Sequence, residues 1–110
     1  MTDHSDPNSD QEITVTRNDE ESRYEIYVGD VLGGFTDFAH HERGVLFPKT
    51  EIDPAFSGRG LGKRLASDAL VDIASRGETV VPECPFLVGY LQKNTIEGIQ
   101  LDWSRAPEHG

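Results

Sequence analysis

The sequence predicts an α+β domain with a mixed, mostly antiparallel sheet and two main helices. Three observations predict it. Residues 12–52 form short runs of alternating polar and apolar or β-branched side chains, broken by turn residues. Residues 58–75 carry apolar side chains at helical spacing behind a glycine-rich loop. A short β-branched run at 79–81 is then followed by a second helical stretch that opens with Pro85.

The elements follow in order. Glu12-Ile13-Thr14-Val15-Thr16 alternates as a half-buried strand does, and Asn18-Asp19-Glu20-Glu21 supplies a turn. Residues 23–28 are rich in aromatic and β-branched side chains and read as a second strand, closed by a Gly29-Asp30 turn. A third strand covers 31–38, with a bulge at Gly33-Gly34. After the turn at 41–44, Val45-Leu46-Phe47 and Thr50-Glu51-Ile52 form a fourth strand, in which Pro48 marks a bulge or an edge. The first half is therefore an antiparallel meander. A helix is expected from near Gly58 to about Ser75, with Leu61, Leu65, Ala69, Leu70 and Ile73 on one face. Arg76-Gly77 stops it, with a cation at the negative end and glycine at the cap. Pro82 ends the next strand. Pro85 suits a first helical position, so the second helix runs to about Lys93. Ile99, Leu101 and Trp103 alternate as a final extended piece, with Trp103 expected in the core.

The 110 residues suffice for one domain with a modest core. Residues 1–11 and 105–110 are poor in apolar side chains and are expected to be flexible tails around a domain at 12–104. No stretch approaches the roughly 18 apolar residues of a membrane span, and there is no signal-peptide pattern. The single cysteine has no internal disulfide partner. These features point to the cytoplasm. The net charge of -10 argues against direct nucleic-acid binding. It suits a cationic acceptor, or serves solubility alone. Small size and an acidic surface lean towards a monomer.

Three glycines alternate at 58, 60 and 62, and Arg59, Lys63 and Arg64 add positive charge beside them. Glycine lets main-chain N–H groups approach a ligand closely. The following helix aims its unpaired N–H groups and the positive end of its dipole at the same place. The stretch therefore reads as a phosphate or pyrophosphate site. The nucleotide P-loop pattern fails, because Ser57 and Arg64 stand where it needs glycine and a hydroxyl. The dinucleotide pattern fails because Lys63 stands at its third glycine. Ser57-Gly58-Arg59-Gly60-Leu61-Gly62 fits the acetyl-CoA loop [QR]-x-x-G-x-[GA] at both glycine positions and departs from it at Ser57.

Lys49-Thr50-Glu51-Ile52 precedes this loop, and Val81-Pro82-Glu83-Cys84-Pro85-Phe86 follows the helix. In this order the chain resembles the small single-domain GCN5-related N-acetyltransferase-like family, from about residue 13 to residue 91. That family carries a T-E-[VI] strand, a G-x-G-x-G loop and a P-x-C-P-F segment. Lys49 replaces the family's usual histidine, and Asn94-Thr95-Ile96-Glu97 differs from its basic, His-Pro-containing tail. The resemblance implies a truncated acetyltransferase fold, in which two central strands splay and hold the acyl thioester. It implies acetyl-CoA as co-substrate and an amine acceptor. Residues Ser57, Gly58, Arg59, Gly60, Leu61, Gly62, Lys63 and Arg64 would hold the pyrophosphate. The main chain of Glu51 and Ile52 would pair with the pantetheine arm.

Three side chains are candidates for chemistry. Cys84 lies at or just before a helix N-terminus, where a thiol is activated. It is an acyl-accepting nucleophile, a lining of the acyl pocket, or a small buried hydrophobe. Tyr90 is a proton donor to the leaving thiolate, as the superfamily often has, or a core aromatic. Glu51 is a general base through water or an outward-facing strand residue, and Glu83 is a weaker base candidate. A CoA-binding or protein-interaction module without turnover is the alternative to an enzyme. Adjacent His40 and His41 point to opposite faces of a strand and cannot chelate together, and no zinc-ligand spacing occurs, so no metal is expected.

Overall fold

The computed structural model describes residues 12–105. The tail expectations for 1–11 and 106–110, and the residues His4 and His109, lie outside them. A single six-stranded sheet runs in chain order: β1 (Ile13–Asn18), β2 (Arg23–Val28), β3 (Val31–His41), β4 (Gly44–Ile52), β5 (Thr79–Pro82) and β6 (Gln100–Leu101). The first four pair antiparallel, and β4–β5 and β5–β6 pair parallel. Helix α1 (Leu61–Ser75) and helix α2 (Pro85–Lys93) are the two crossovers. Right-handed crossovers that step the same way put both helices on one face of the sheet.

Both expected bulges form. The register slips between Ile26 and Tyr27 so that Gly33 faces no partner. On β4 the slip opposite Phe38 falls at Phe47-Pro48, which accommodates a residue without an N–H. The third strand runs three residues beyond the expected end, because Ala39, His40 and His41 pair back onto Leu46, Val45 and Gly44.

The core lies between the sheet and the helices. Tyr24, Ile26, Phe38, Val45, Phe47 and Val80 meet Leu61, Leu65, Ala69, Leu70 and Ile73 of α1 and Leu87 and Leu91 of α2. Each fully buried Leu or Ile contributes roughly 1.5–3 kcal/mol. That exceeds the tenths of a kcal/mol separating helix propensities, so packing holds α1. The Tyr24 hydroxyl donates to Asp72 on α1 at 2.5 Å and accepts from Arg17 at 2.8 Å, which ties the meander to the helix.

The final extended piece is shorter than expected. Asp102 donates its N–H to Val80, and its carboxylate accepts from the Ser104 N–H at 2.9 Å. That turn throws Trp103 out of the core, and it stands 43% exposed rather than buried. Among the described residues no helix is long and apolar enough to cross a membrane.

Candidate functional site at the parting of β4 and β5

The site follows from where β4 loses its neighbour. Strands β4 and β5 share three pairs, Val45 with Val80, Leu46 with Val81 and Phe47 with Pro82. Beyond them, the Phe47 carbonyl takes the N–H groups of Glu83 and Cys84 at 3.3 and 2.9 Å. Pro82 and Pro85 end the strand and start α2, so the chain turns away while β4 runs on to Ile52. Residues 49–52 therefore keep β3 on one side and, among the described residues, have no strand on the other. Asp53 donates its N–H to Gly33 on β3 at 2.8 Å. The Glu51 carbonyl oxygen also faces β3, only 2.6 Å from where a Gly34 side chain would begin. Strand alternation then turns the main-chain N–H and C=O of Thr50 and Ile52 towards the open side. The free edge is thus offered by Thr50 and Ile52, whereas the main chain of Glu51 serves the sheet.

This edge leads into the glycine loop. Asp53 accepts from the Ala55 N–H and starts a single 3-10 turn, Pro54–Phe56. Ser57 spends its N–H on the Pro54 carbonyl. Gly58 and Gly60 have φ of 82° and 77°, the left-handed region that favours glycine. Because Gly60 is left-handed, α1 begins at Leu61 and not near Gly58. No side chain caps it and no acidic residue occupies its first turn. The first N–H groups of a fifteen-residue helix therefore remain open, with the positive dipole end behind them.

The side chains of the loop have separate tasks. Leu61 is buried in the core, so it can meet a ligand only through its main chain. A Cβ on Gly62 would lie 2.9 Å from the tip of the Phe86 ring of α2, so that ring would have to shift. Arg64 pairs with Asp68 at 2.9 Å and reaches the Ile13 carbonyl, which turns it towards β1. Arg59 lies over the Phe56 ring at 5.6 Å. Lys63 faces α2 across a groove that Tyr90 also lines.

At the other end of the open edge sits Cys84, the N-cap of α2, 5% exposed. Its thiol donates to the Thr50 hydroxyl at 3.4 Å. The Thr50 hydroxyl lies 2.9 Å from that of Thr36, and Thr36 reaches the Lys49 carbonyl at 3.3 Å. Each hydroxyl has one proton to give. A consistent chain is therefore Cys84 to Thr50, Thr50 to Thr36, and Thr36 to the Lys49 carbonyl. Sequence reading missed this pair of threonines. Their signal was there, as hydroxyls at inward positions of β3 and β4.

The other two candidate side chains lie apart from the thiol. Glu51 points outward, with its side chain 55% exposed and paired to Lys49 at 2.9 Å. The carboxylate raises the Lys49 pKa through this hydrogen bond. Tyr90 is half-buried on α2, about 9 Å along the axis from Cys84 at 1.5 Å per residue. Glu83 pairs with Arg105 at 3.4 Å. Among the described residues no group of three or more His, Cys, Asp or Glu could hold a metal ion.

A family model described as GCN5-related N-acetyl-transferase matches residues 23–98, more than half of the chain. No curated protein matches it. The chain belongs to the GCN5-related N-acetyltransferase family, whose members in general take an acetyl group from acetyl-CoA. An acetyltransferase-type function follows from that membership.

Proposed function

We propose that the protein transfers the acetyl group of acetyl-CoA to an amine, as a cytoplasmic monomer. One observation carries this reading: the unpartnered edge of β4 begins beside a buried thiol and ends at an uncapped, glycine-led helix start. A thioester on a pantetheine arm ending in pyrophosphate needs such an edge and such an end. The pyrophosphate takes the open amides from Gly58 to Lys63, and the arm pairs with Thr50 and Ile52 as an added strand. The amine approaches from the sheet face without helices, where Glu51 and Lys49 point. Its nitrogen attacks the thioester carbonyl carbon, and the C–S bond breaks with its electron pair leaving on sulfur. The amine proton passes to solvent, through water held by Glu51, and the thiolate takes a proton from solvent, which Tyr90 can supply only through intervening water.

The burial of Cys84 against Thr50 favours direct attack, with the thiol lining the acyl pocket. Its place at the α2 N-cap favours the second route, in which the acetyl group rests on sulfur first. Single-turnover kinetics of Cys84→Ala with an amine panel decides between them. Direct transfer predicts that more than a tenth of the rate survives, whereas a drop of about a thousandfold with acetyl-CoA affinity kept establishes the acyl-enzyme. A wild-type protein that binds acetyl-CoA and acetylates no amine is a binding module instead. The first measurement is the melting temperature with and without acetyl-CoA, with NADH and ATP as controls. Saturation at 100 times Kd adds about 2.7 kcal/mol. No shift at millimolar acetyl-CoA would end the CoA assignment altogether.

A further inference from the structure

The free stretch of β4 opens with a lysine. Lys49 is its first residue, and its side chain shares the sheet face without helices with Glu51, because alternate residues of a strand point the same way. Thr50 between them points the other way, to the Cys84 thiol. An arm that runs from the glycine loop and pairs with Ile52 and Thr50 brings its thioester to the Thr50 end of this edge. A thiol then lies on the helix side of the thioester and a primary amine on the opposite side. The amine can reach it. An added strand lies about 4.7–4.9 Å from β4, and the five bonds from a lysine Cα to its Nζ, at about 1.5 Å each, span more than that when extended. The present contacts of Lys49 are loose. Its side chain is 54% exposed and pairs with the equally exposed Glu51 at 2.9 Å, and exposed pairs of this kind hold weakly. Its Nζ lies 5.9 Å from the centre of the Phe35 ring, the outer limit of a cation–π contact, whereas Arg23 lies over the same ring at 4.6 Å. Glu51 also gives the ammonium a carboxylate through which a proton can leave.

We propose that Lys49 is itself an acetyl acceptor, modified within the same chain that holds the acetyl-CoA. The ammonium gives one proton to solvent by way of Glu51. The neutral Nζ attacks the thioester carbonyl carbon, an amide C–N bond forms, and the C–S bond breaks with its electron pair leaving on sulfur. The nitrogen gives a second proton to solvent and the thiolate takes one up, so the products are one acetyl-lysine, one CoA and one proton. Acetylation removes the charge of the side chain. The ion pair with Glu51 is then lost, and the carboxylate is released to an incoming amine. The inference rests on the CoA reading, and the test keeps the two apart.

Incubation of the full chain with acetyl-CoA, followed by peptide mass mapping over time, tests it. Lys93 is exposed at the end of α2 and reports the chemical background. Lys49 should be acetylated at least about tenfold faster than Lys93, because its amine is held beside the thioester. Its rate constant should not depend on protein concentration, and an excess of CoA should suppress the reaction at Lys49 and not at Lys93. Lys49→Arg keeps the charge and has no amine to acylate. It should bind acetyl-CoA as the wild type does, by calorimetry, and show no fast acetylation. Acetyl-CoA binding with Lys49 modified no faster than Lys93 overturns the inference and leaves the CoA reading standing. A rate that rises with protein concentration, or that excess CoA leaves unchanged, overturns the inference as well. Failure of acetyl-CoA to bind overturns both.

Discussion

The two helices of this protein start in opposite ways. Helix α1 starts at a left-handed glycine with exposed, uncapped amides and basic residues around them. Helix α2 starts at a buried cysteine, with Pro85 contributing no N–H and the strand before it bonded to the Phe47 carbonyl. The first start is built from main chain and open to an anion. The second has no side-chain cap either, but its thiol and the Thr50 and Thr36 hydroxyls bond one another. One surface suits the charged, invariant part of a ligand, and the other suits its small reactive end. This division explains why substitutions should separate binding from chemistry.

The largest effect is expected at the open start. Gly60→Val forces a β-branched residue to φ near 77°, which costs about 1–3 kcal/mol and disturbs the amides that face the ligand. Acetyl-CoA affinity should fall at least about a hundredfold, or 2.8 kcal/mol, as read by calorimetry. An affinity within threefold of wild type would mean that the loop geometry does not hold the ligand.

A smaller effect is expected at the closed start. Thr50→Val removes the acceptor of the Cys84 thiol and the partner of Thr36 while keeping the shape. The two lost hydrogen bonds, of which the thiol's is the weaker, together cost about 1–2 kcal/mol, which lowers the melting temperature by roughly 4 °C or more. Thr50→Ser should recover most of it, and CoA affinity should change little in either variant. Equal melting of Thr50→Val and wild type would show that the hydroxyl chain contributes nothing to the fold.

The smallest effect serves as a control away from both helix starts. Glu25 lies on the helix-free face, 4% exposed, and accepts from Arg23, Tyr27 and Asn18 at 2.7, 2.9 and 3.1 Å. Burial pushes its pKa up, but those three donors outweigh burial and leave it below its ordinary value of 4.5. A depressed carboxylate contributes its stability above the unfolded-state value and loses it as pH falls through the folded one. Glu25→Gln should therefore be less stable than wild type by about 1 kcal/mol at pH 7, and the gap should close in acid. A gap that widens in acid contradicts the sign, and loss of CoA binding would mean that the two faces are coupled.

Much of the fold was legible in residue order, because its signals are local. Period-2 alternation gave the four-stranded meander, Gly33 and Pro48 marked both bulges, and helical spacing gave α1. Pro85 fixed the first residue of α2. The glycine loop could be read because left-handed backbone, as at residues 58 and 60, favours glycine. The start of α1 and the fate of Trp103 could not. A single left-handed residue delays the helix by three positions, and an Asp102 turn outcompetes the apolar alternation.

The candidate site divides along the same line. Residue types named Cys84 and the glycines, since these need particular chemistry or backbone freedom, and the family resemblance pointed to the main chain at 51 and 52. Whether the thiol is buried, which main-chain groups of β4 stay unpaired and which loop side chains are already engaged depend on partners far away in sequence. Thr36, Thr50 and Cys84 come from three separate strands and turns. Such juxtapositions arise from how the sheet and helices close on one core, and pairwise spacing along the chain carries no record of them.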